Sequence, residues 1–311
     1  MNIQKSLYQL DWKIKRLVHR KSGYNGQKYY CGKQVWGVEE TNKFISDSII
    51  KAEPFMVGRF GSSELDAVRT VNEKNDGFDY NPQKQLHTLC YNAGFFPEEK
   101  KYLLEYASIM RESTREADLM GIWNLMFEDY EIRKYGNNPN ICRLEAIEPF
   151  FCDNPWTESL LHKKVLVIHP FSETIKLQYS KREKLFMNKN ILPEFELITQ
   201  KSVQTIADNK DDRFNTWFDA LEYMYTKAIS TEFDVAIIGC GAYGFPLAAK
   251  LKSAGKIAIH MGGATQCLFG IRGKRWENNR KYIDEGLINS SWIRPIEQPQ
   301  NYKDIEDGCY W

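Results

Sequence analysis

Long apolar runs are missing from this 311-residue sequence. No stretch approaches the roughly 20 apolar residues of a membrane span, and the first residues lack the continuous apolar centre of a secretory signal. An excess of charge of one sign is missing too. With 42 Lys and Arg against 41 Asp and Glu, the net charge of +1 creates no general field for a polyanion, so nucleic acid is not an expected partner. Cysteine pairs at redox or metal spacing are absent. The seven cysteines, Cys31, Cys90, Cys142, Cys152, Cys240, Cys267 and Cys309, are odd in number, contain no C-x-x-C, and have no histidine at ligand spacing. That pattern points to reduced thiols, no structural zinc and a cytoplasmic address. Internal repeats and low-complexity tracts are also lacking.

Aromatic side chains are plentiful, 14% of residues, which suits base or sugar stacking as well as a large core. Residues 1–21 place Ile3, Leu7, Leu10, Ile14 and Leu17 on one helical face with Lys5, Lys13, Lys15, Arg16, Arg20 and Lys21 around the rest. Such a basic amphipathic helix docks on its own domain, pairs with a partner helix in a dimer, or lies on an anionic membrane. Residues 22–37 are rich in glycine and tyrosine and aperiodic, a linker or arm. The main domain is expected over 38–311.

From Val38 onward, helical and strand patterns alternate. Strands are expected in PFMVGRF, ADLMGIW, NICRLEAIEPF, KKVLVIHPF, EFELITQ, FDVAIIG and IAIH, with helices between them. This order predicts an α/β fold, a mostly parallel sheet with helices on both faces, Rossmann-like in layout. Sites in such folds form at the carboxyl ends of strands.

The segment IIGCGAYGFPLAAKLKSAGKIAIHMGG carries Gly239, Gly241 and Gly244 in Gly-x-Gly-x-x-Gly spacing between a strand and a helix. A dinucleotide site also needs an acid after the second strand to hold a ribose hydroxyl. That strand ends instead at His260, followed by Met261, Gly262 and Gly263, so NAD is not expected. Two uses of the turn remain: backbone N–H groups for a phosphate, Tyr243 included, or close strand-to-helix packing.

A second constellation is MVGRFGSSELDAV, in which Arg59 ends a strand and Gly61, Ser62, Ser63 and Glu64 open a helix. Arg59 pairs with Glu64 as a buried ion pair, or it grips a phosphate through its planar fork while Glu64 serves as base or metal ligand. His169 and Glu173 sit at another strand end, where His169 acts as a base, a diphosphate contact or a plain hydrogen-bonded turn residue. Arg272, Lys274 and Arg275 with Trp276 follow the last strand in a glycine-rich loop suited to a sugar diphosphate.

Arg59, Phe60, Gly61 and Glu64 match the R-F-G-D-G-E turn of the GT-D fold glycosyltransferases of bacterial polysaccharide and adhesin-glycan assembly, which the chain resembles. Ser62 replaces the motif's aspartate and Ser63 its second glycine. In the second unit Gly262 matches a family glycine, with His260 where the family has an aspartate and Gly263 where it has a histidine. The resemblance implies sugar transfer from a nucleotide-sugar, commonly a UDP-sugar, to a glycan or lipid-linked acceptor in capsule or surface-polysaccharide assembly, at the inner face of the plasma membrane. It also implies a divalent cation, manganese or magnesium, held by the D-x-E carboxylates, of which Glu64 alone is kept. Arg59, Lys274 and Arg275 offer the alternative of phosphate neutralisation without metal. A non-catalytic relative and a Rossmann-type oxidoreductase or sugar-nucleotide-modifying enzyme are the rival readings.

Overall fold

A computed structural model describes Leu10, Lys13, Ile14, Leu17 and residues 27–71 and 81–311. Nine strands form one sheet: β1 (Tyr29–Tyr30), β2 (Lys33–Trp36), β3 (Phe55–Gly58), β4 (Leu119–Ile122), β5 (Asn140–Arg143), β6 (Lys164–His169), β7 (Glu196–Lys201), β8 (Val235–Ile238) and β9 (Ile257–His260). Their order across the sheet is β1-β2-β5-β4-β3-β9-β8-β6-β7. Every pairing is parallel except the β1–β2 hairpin. The mostly parallel α/β sheet expected from the sequence is therefore present.

Strand residues divide strictly between two cores. On β3, β6, β8 and β9, Met56, Leu166, Ala236 and Ala258 face one cluster, while Phe55, Val57, Val165, Val167, Ile237 and Ile259 face the other. The period-2 alternation with both faces apolar is what a doubly covered parallel sheet requires. The first face is covered by α2 (Ser62–Arg69), α3 (Pro82–Ala93), α4 (Leu103–Glu116), α7 (Trp217–Ile229) and α8 (Gly244–Ser253). The second is covered by α1 (Val38–Lys51), α6 (Ser172–Tyr179) and the C-terminal segment with Trp276, Tyr282, Trp292 and Trp311. A further helix, α5 (Glu128–Tyr135), follows β4.

Two boundaries differ from the sequence expectation. The stretch 22–37, expected as a linker or arm, contains β1 and β2, and β2 extends the sheet alongside β5 through Val35–Ile141 and Trp36–Cys142. Two- and four-residue strands beside glycines leave too short a pattern to register as strands. NICRLEAIEPF is a strand only to Arg143; the chain then turns through single 3-10 turns at Leu144–Ile147 and Pro149–Phe151. Asn42 of α1 fixes that turn, donating to the Ala146 carbonyl (3.1 Å) and accepting from the Trp156 N–H (3.0 Å).

The amphipathic helix read at 1–21 lies mostly outside the described residues; Leu10, Lys13, Ile14 and Leu17 are helical and exposed. All seven cysteines are free thiols. Among the described residues no helix is long and apolar enough to cross a membrane.

Candidate functional site

Strand order reverses between β3 and β9: β4, β5 and β2 run out to one side, and β8, β6 and β7 to the other. At such a switch point the crossover loops diverge and leave a crevice beyond the carboxyl ends of the strands. Here a cleft of about 550 Å³ lies at that place, within the range of small-ligand sites. Each strand from β3 to β9 sends residues to it, among them Arg59, Trp123, Glu145, His169, Gln204, Gly239 and His260 in strand order.

Arg59 follows β3 directly. Its Nη1 donates to the Phe60 carbonyl at 3.0 Å, and its guanidinium lies 5.6 Å from the Trp123 ring centroid. Trp123 donates Nε1–H to the same carbonyl at 2.9 Å, so one backbone oxygen sets both side chains. The expected ion pair with Glu64 is not formed; among the described residues no carboxylate lies within salt-bridge distance of Arg59, and its buried Nε has no hydrogen-bond partner. The neighbouring Gly262 adopts φ +65, and a Cβ there would sit 2.8 Å from Arg59 Nε and Nη2. Glycine at 262 thus makes room for the guanidinium.

The N-terminus of α2 opens into the cleft through Gly61, Ser62, Ser63 and Glu64. Its N-cap, Gly61, has no side chain to cap it, and the Glu64 carboxylate bonds its own backbone N–H, which leaves the Ser62 and Ser63 N–H groups as donors at the positive end of the helix. Glu64 folds back over Gly61, where a Cβ would meet its carboxylate at 2.0 Å. Burial raises its carboxyl above the ordinary value, with the Arg59 charge opposing.

Each glycine of the Gly-x-Gly-x-x-Gly turn is matched to protein. A Cβ at Gly239 would meet the Gly262 carbonyl at 2.4 Å, one at Gly241 the Ala93 carbonyl at 2.8 Å, and one at Gly244 the His260 ring at 2.4 Å. Close packing therefore accounts for the motif, although Gly239 and Gly241 also line the cleft, as do Gly262 and Gly263.

His169 is buried at the cleft wall. Its Nδ1 accepts from the Phe171 N–H at 3.0 Å, and burial pushes it down to about 3. The ring is therefore neutral with its proton on Nε2, a hydrogen-bond donor rather than a base. Buried His260 is likewise held neutral, by burial first and then by the Arg59 charge.

Not every expected residue converges. Glu173 is exposed and paired with Lys176 at 2.9 Å, and it does not line the cleft. The N-terminus of α6 beside it is occupied by Glu297, which accepts from the Glu173 and Thr174 N–H groups at 2.8 and 3.1 Å. Tyr243 is a core residue, stacked on Trp217 at 5.2 Å, and Gly244 serves only the contact with His260. Arg272 pairs with Glu277 at 3.7 Å and Lys274 donates to the Asp307 carbonyl at 2.7 Å; neither reaches the cleft. Arg275 does, held by Glu306 and by the Tyr310 hydroxyl at 2.9 Å.

Three carboxylates in the cleft, Glu145, Glu148 and Glu306, are not among the residues expected from the sequence. Glu148 accepts from the Tyr282 hydroxyl at 2.7 Å, and burial lifts it to about 7. The sequence signal for Glu145 and Glu148 is the Glu-x-x-Glu-Pro run after β5, which has no turn residue before Pro149. Behind Trp123, buried Glu128 ties down the β4–α5 loop, accepting from the Tyr30 hydroxyl (3.1 Å) and the Leu125 N–H (3.2 Å).

Glu128 makes stability depend on pH. Burial raises it to about 8 from 4.5, so the folded state keeps a proton that the unfolded chain releases, and stability falls as pH rises between those values. His169 acts oppositely but only below its ordinary 6.5. Stability should therefore drop by about 2 kcal/mol between pH 6.5 and 8, most of it from Glu128 and a smaller part from Glu148, raised to about 7, and Glu128→Gln should remove the larger part of that fall. Urea-denaturation midpoints across the range check it; an unchanged slope in the variant would refute the assignment.

The cation that the D-x-E resemblance implies is poorly served. Ser62 supplies no carboxylate, Asp66 is engaged by Arg69 at 2.5 Å, and among the described residues no three His, Cys, Asp or Glu side chains form a set that can hold a metal ion. Of the D-x-E pair Glu64 alone remains, Glu145 and Glu148 join it in no such group, and the donor set does not fit a dedicated all-protein divalent site.

No protein-family model matches the sequence, and no curated protein matches it. Two solved structures are similar to it. One, described with the words "the highly conserved domain of unknown function 1792 has a distinct glycosyltransferase fold", has TM-score 0.46 and 13% identity over 88% of this chain and 94% of that one. The other, a selenomethionine-substituted structure of the same domain, has TM-score 0.47 and 12% identity over the same shares. A likeness of this degree assigns no residue a role; the chemistry rests on the side chains of the cleft.

Proposed function

We propose that the chain is a glycosyltransferase that binds a nucleotide-sugar, a UDP-sugar in preference, and transfers its sugar to a glycan or lipid-linked acceptor of surface-polysaccharide assembly. One observation carries the reading: an arginine that forms no ion pair among the described residues and a helix N-terminus share one cleft with partly buried carboxylates. The first two suit a diphosphate, and a carboxylate beside them suits proton removal from a hydroxyl.

In the transfer, the acceptor oxygen forms its bond to the anomeric carbon as the bond from that carbon to the diphosphate oxygen breaks. The electron pair leaves with the nucleoside diphosphate, and Glu64 takes the acceptor proton. Arg59, the α2 N–H groups and the His169 Nε2–H are the donors available to the charge that develops on the leaving group. The exposed apolar residues Leu10, Ile14 and Leu17 support a contact of residues 1–21 with a membrane that holds a lipid-linked acceptor. Thermal-shift titration with UDP, with UDP-sugars and with NAD tests the reading. A concentration-dependent stabilisation by the uridine nucleotides and none by NAD is expected; the reverse ranking would replace the transferase by an oxidoreductase.

A further inference from the structure

Within that reading, we infer that the diphosphate is neutralised by the Arg59 guanidinium and not by a bound divalent cation. The cleft lacks a clustered set of oxygen donors for a cation: Ser62 is neutral, Glu148 is engaged by the Tyr282 hydroxyl, Glu306 is engaged by Arg275, and Glu64 and Glu145 line the cleft without forming a ligand group with a third side chain among the described residues. No metal-holding group of three side chains exists among the described residues. What the cleft offers in its place is a positive charge in want of a partner. Arg59 has a buried Nε with nothing to donate to, no carboxylate within ion-pair reach among the described residues, and a fixed orientation set by the Phe60 carbonyl and the Trp123 ring.

A part-buried guanidinium that feels the charges of Glu64 and Glu148 only at longer range, with no ion pair of its own among the described residues, is incompletely compensated, and that cost is offset when an anion enters. Arg275 is a weaker candidate, because its charge is already answered by Glu306 and its Nη1 by Tyr310. The backbone around Arg59 is shaped for the same end. Gly262 at φ +65 leaves open the volume that a side chain would take from the guanidinium, and the Ser62 and Ser63 N–H groups at the start of α2 follow closely after Arg59. The ligand class is thus a nucleoside diphosphate held by a planar cation and backbone donors, with no metal bridging its phosphates.

Calorimetric titration of the full chain with UDP, once in EDTA and once in manganese, tests this. Equal affinity within about twofold is expected, together with a loss of about 10- to 100-fold in Arg59→Gln. Arg59→Lys keeps the charge without the fork, and an intermediate loss is expected; circular dichroism establishes that both variants are folded. Binding that weakens more than about tenfold in EDTA overturns the inference and leaves the transferase reading standing. Wild-type affinity in both Arg59 variants overturns it equally. Absence of UDP binding in either buffer overturns the transferase reading itself, and the inference with it.

Discussion

Glu64→Gln should lower sugar transfer by about 10²- to 10⁴-fold, the usual contribution of a general base, while changing UDP affinity by no more than a few fold. The amide keeps the shape that packs over Gly61 but cannot take a proton. Because burial raises the Glu64 carboxyl, its protonated form persists to higher pH than in an ordinary glutamate. Wild-type transfer should therefore fall on the acid side at a pH above the usual carboxylate value, and that limb should vanish in the variant. Glu173→Gln is the control: an exposed residue paired with Lys176 should leave rate and pH profile unchanged. A Glu64→Gln enzyme with near-normal turnover would move the base to Glu148 or Glu145.

Gly241→Ala should destabilise the fold by about 2–4 kcal/mol, from two sources that a second variant separates. Gly241 adopts φ +56, which an L side chain rarely takes, and a Cβ would lie 2.8 Å from the Ala93 carbonyl. The atom it would meet is backbone, so it cannot yield cheaply. Gly255 at φ +82 has nothing within 4 Å of its Cβ position, so Gly255→Ala carries the conformational cost alone, about 1–2 kcal/mol. Urea midpoints of the two variants give the difference. Equal losses would mean that the β8 turn is not pressed against α3.

The central strands were legible because their chemistry is unambiguous. Phe55 to Gly58, Val165 to Ile168, Val235 to Ile238 and Ile257 to Ile259 are apolar on both faces, which only a covered parallel sheet demands. The meeting of Arg59 with Gly241 followed from the same reasoning, since both end parallel strands. Partnership was not legible. Whether Arg59 pairs with Glu64 depends on side-chain direction at a helix start, and here Glu64 turns over Gly61 instead. Nor does spacing reveal what a glycine approaches: Gly239, Gly241 and Gly244 look like a phosphate loop, yet each meets the protein's own atoms. Tyr243, Arg272 and Lys274 lie near cleft residues in sequence and outside the cleft in space. Glu145 and Glu148 were missed because a turn without glycine, in a run that begins as a strand, gives no breaker until Pro149.

The claim on which the rest depends is that separate strand-end loops grip one nucleoside diphosphate. Amide hydrogen exchange of the full chain with and without UDP tests it most directly. Slowed exchange should appear together at Ser62 to Glu64, at Gly241 and at Gly262 to Ala264, segments that share the cleft but are far apart in sequence. Protection confined to one of these segments, or found only outside the cleft, would contradict it.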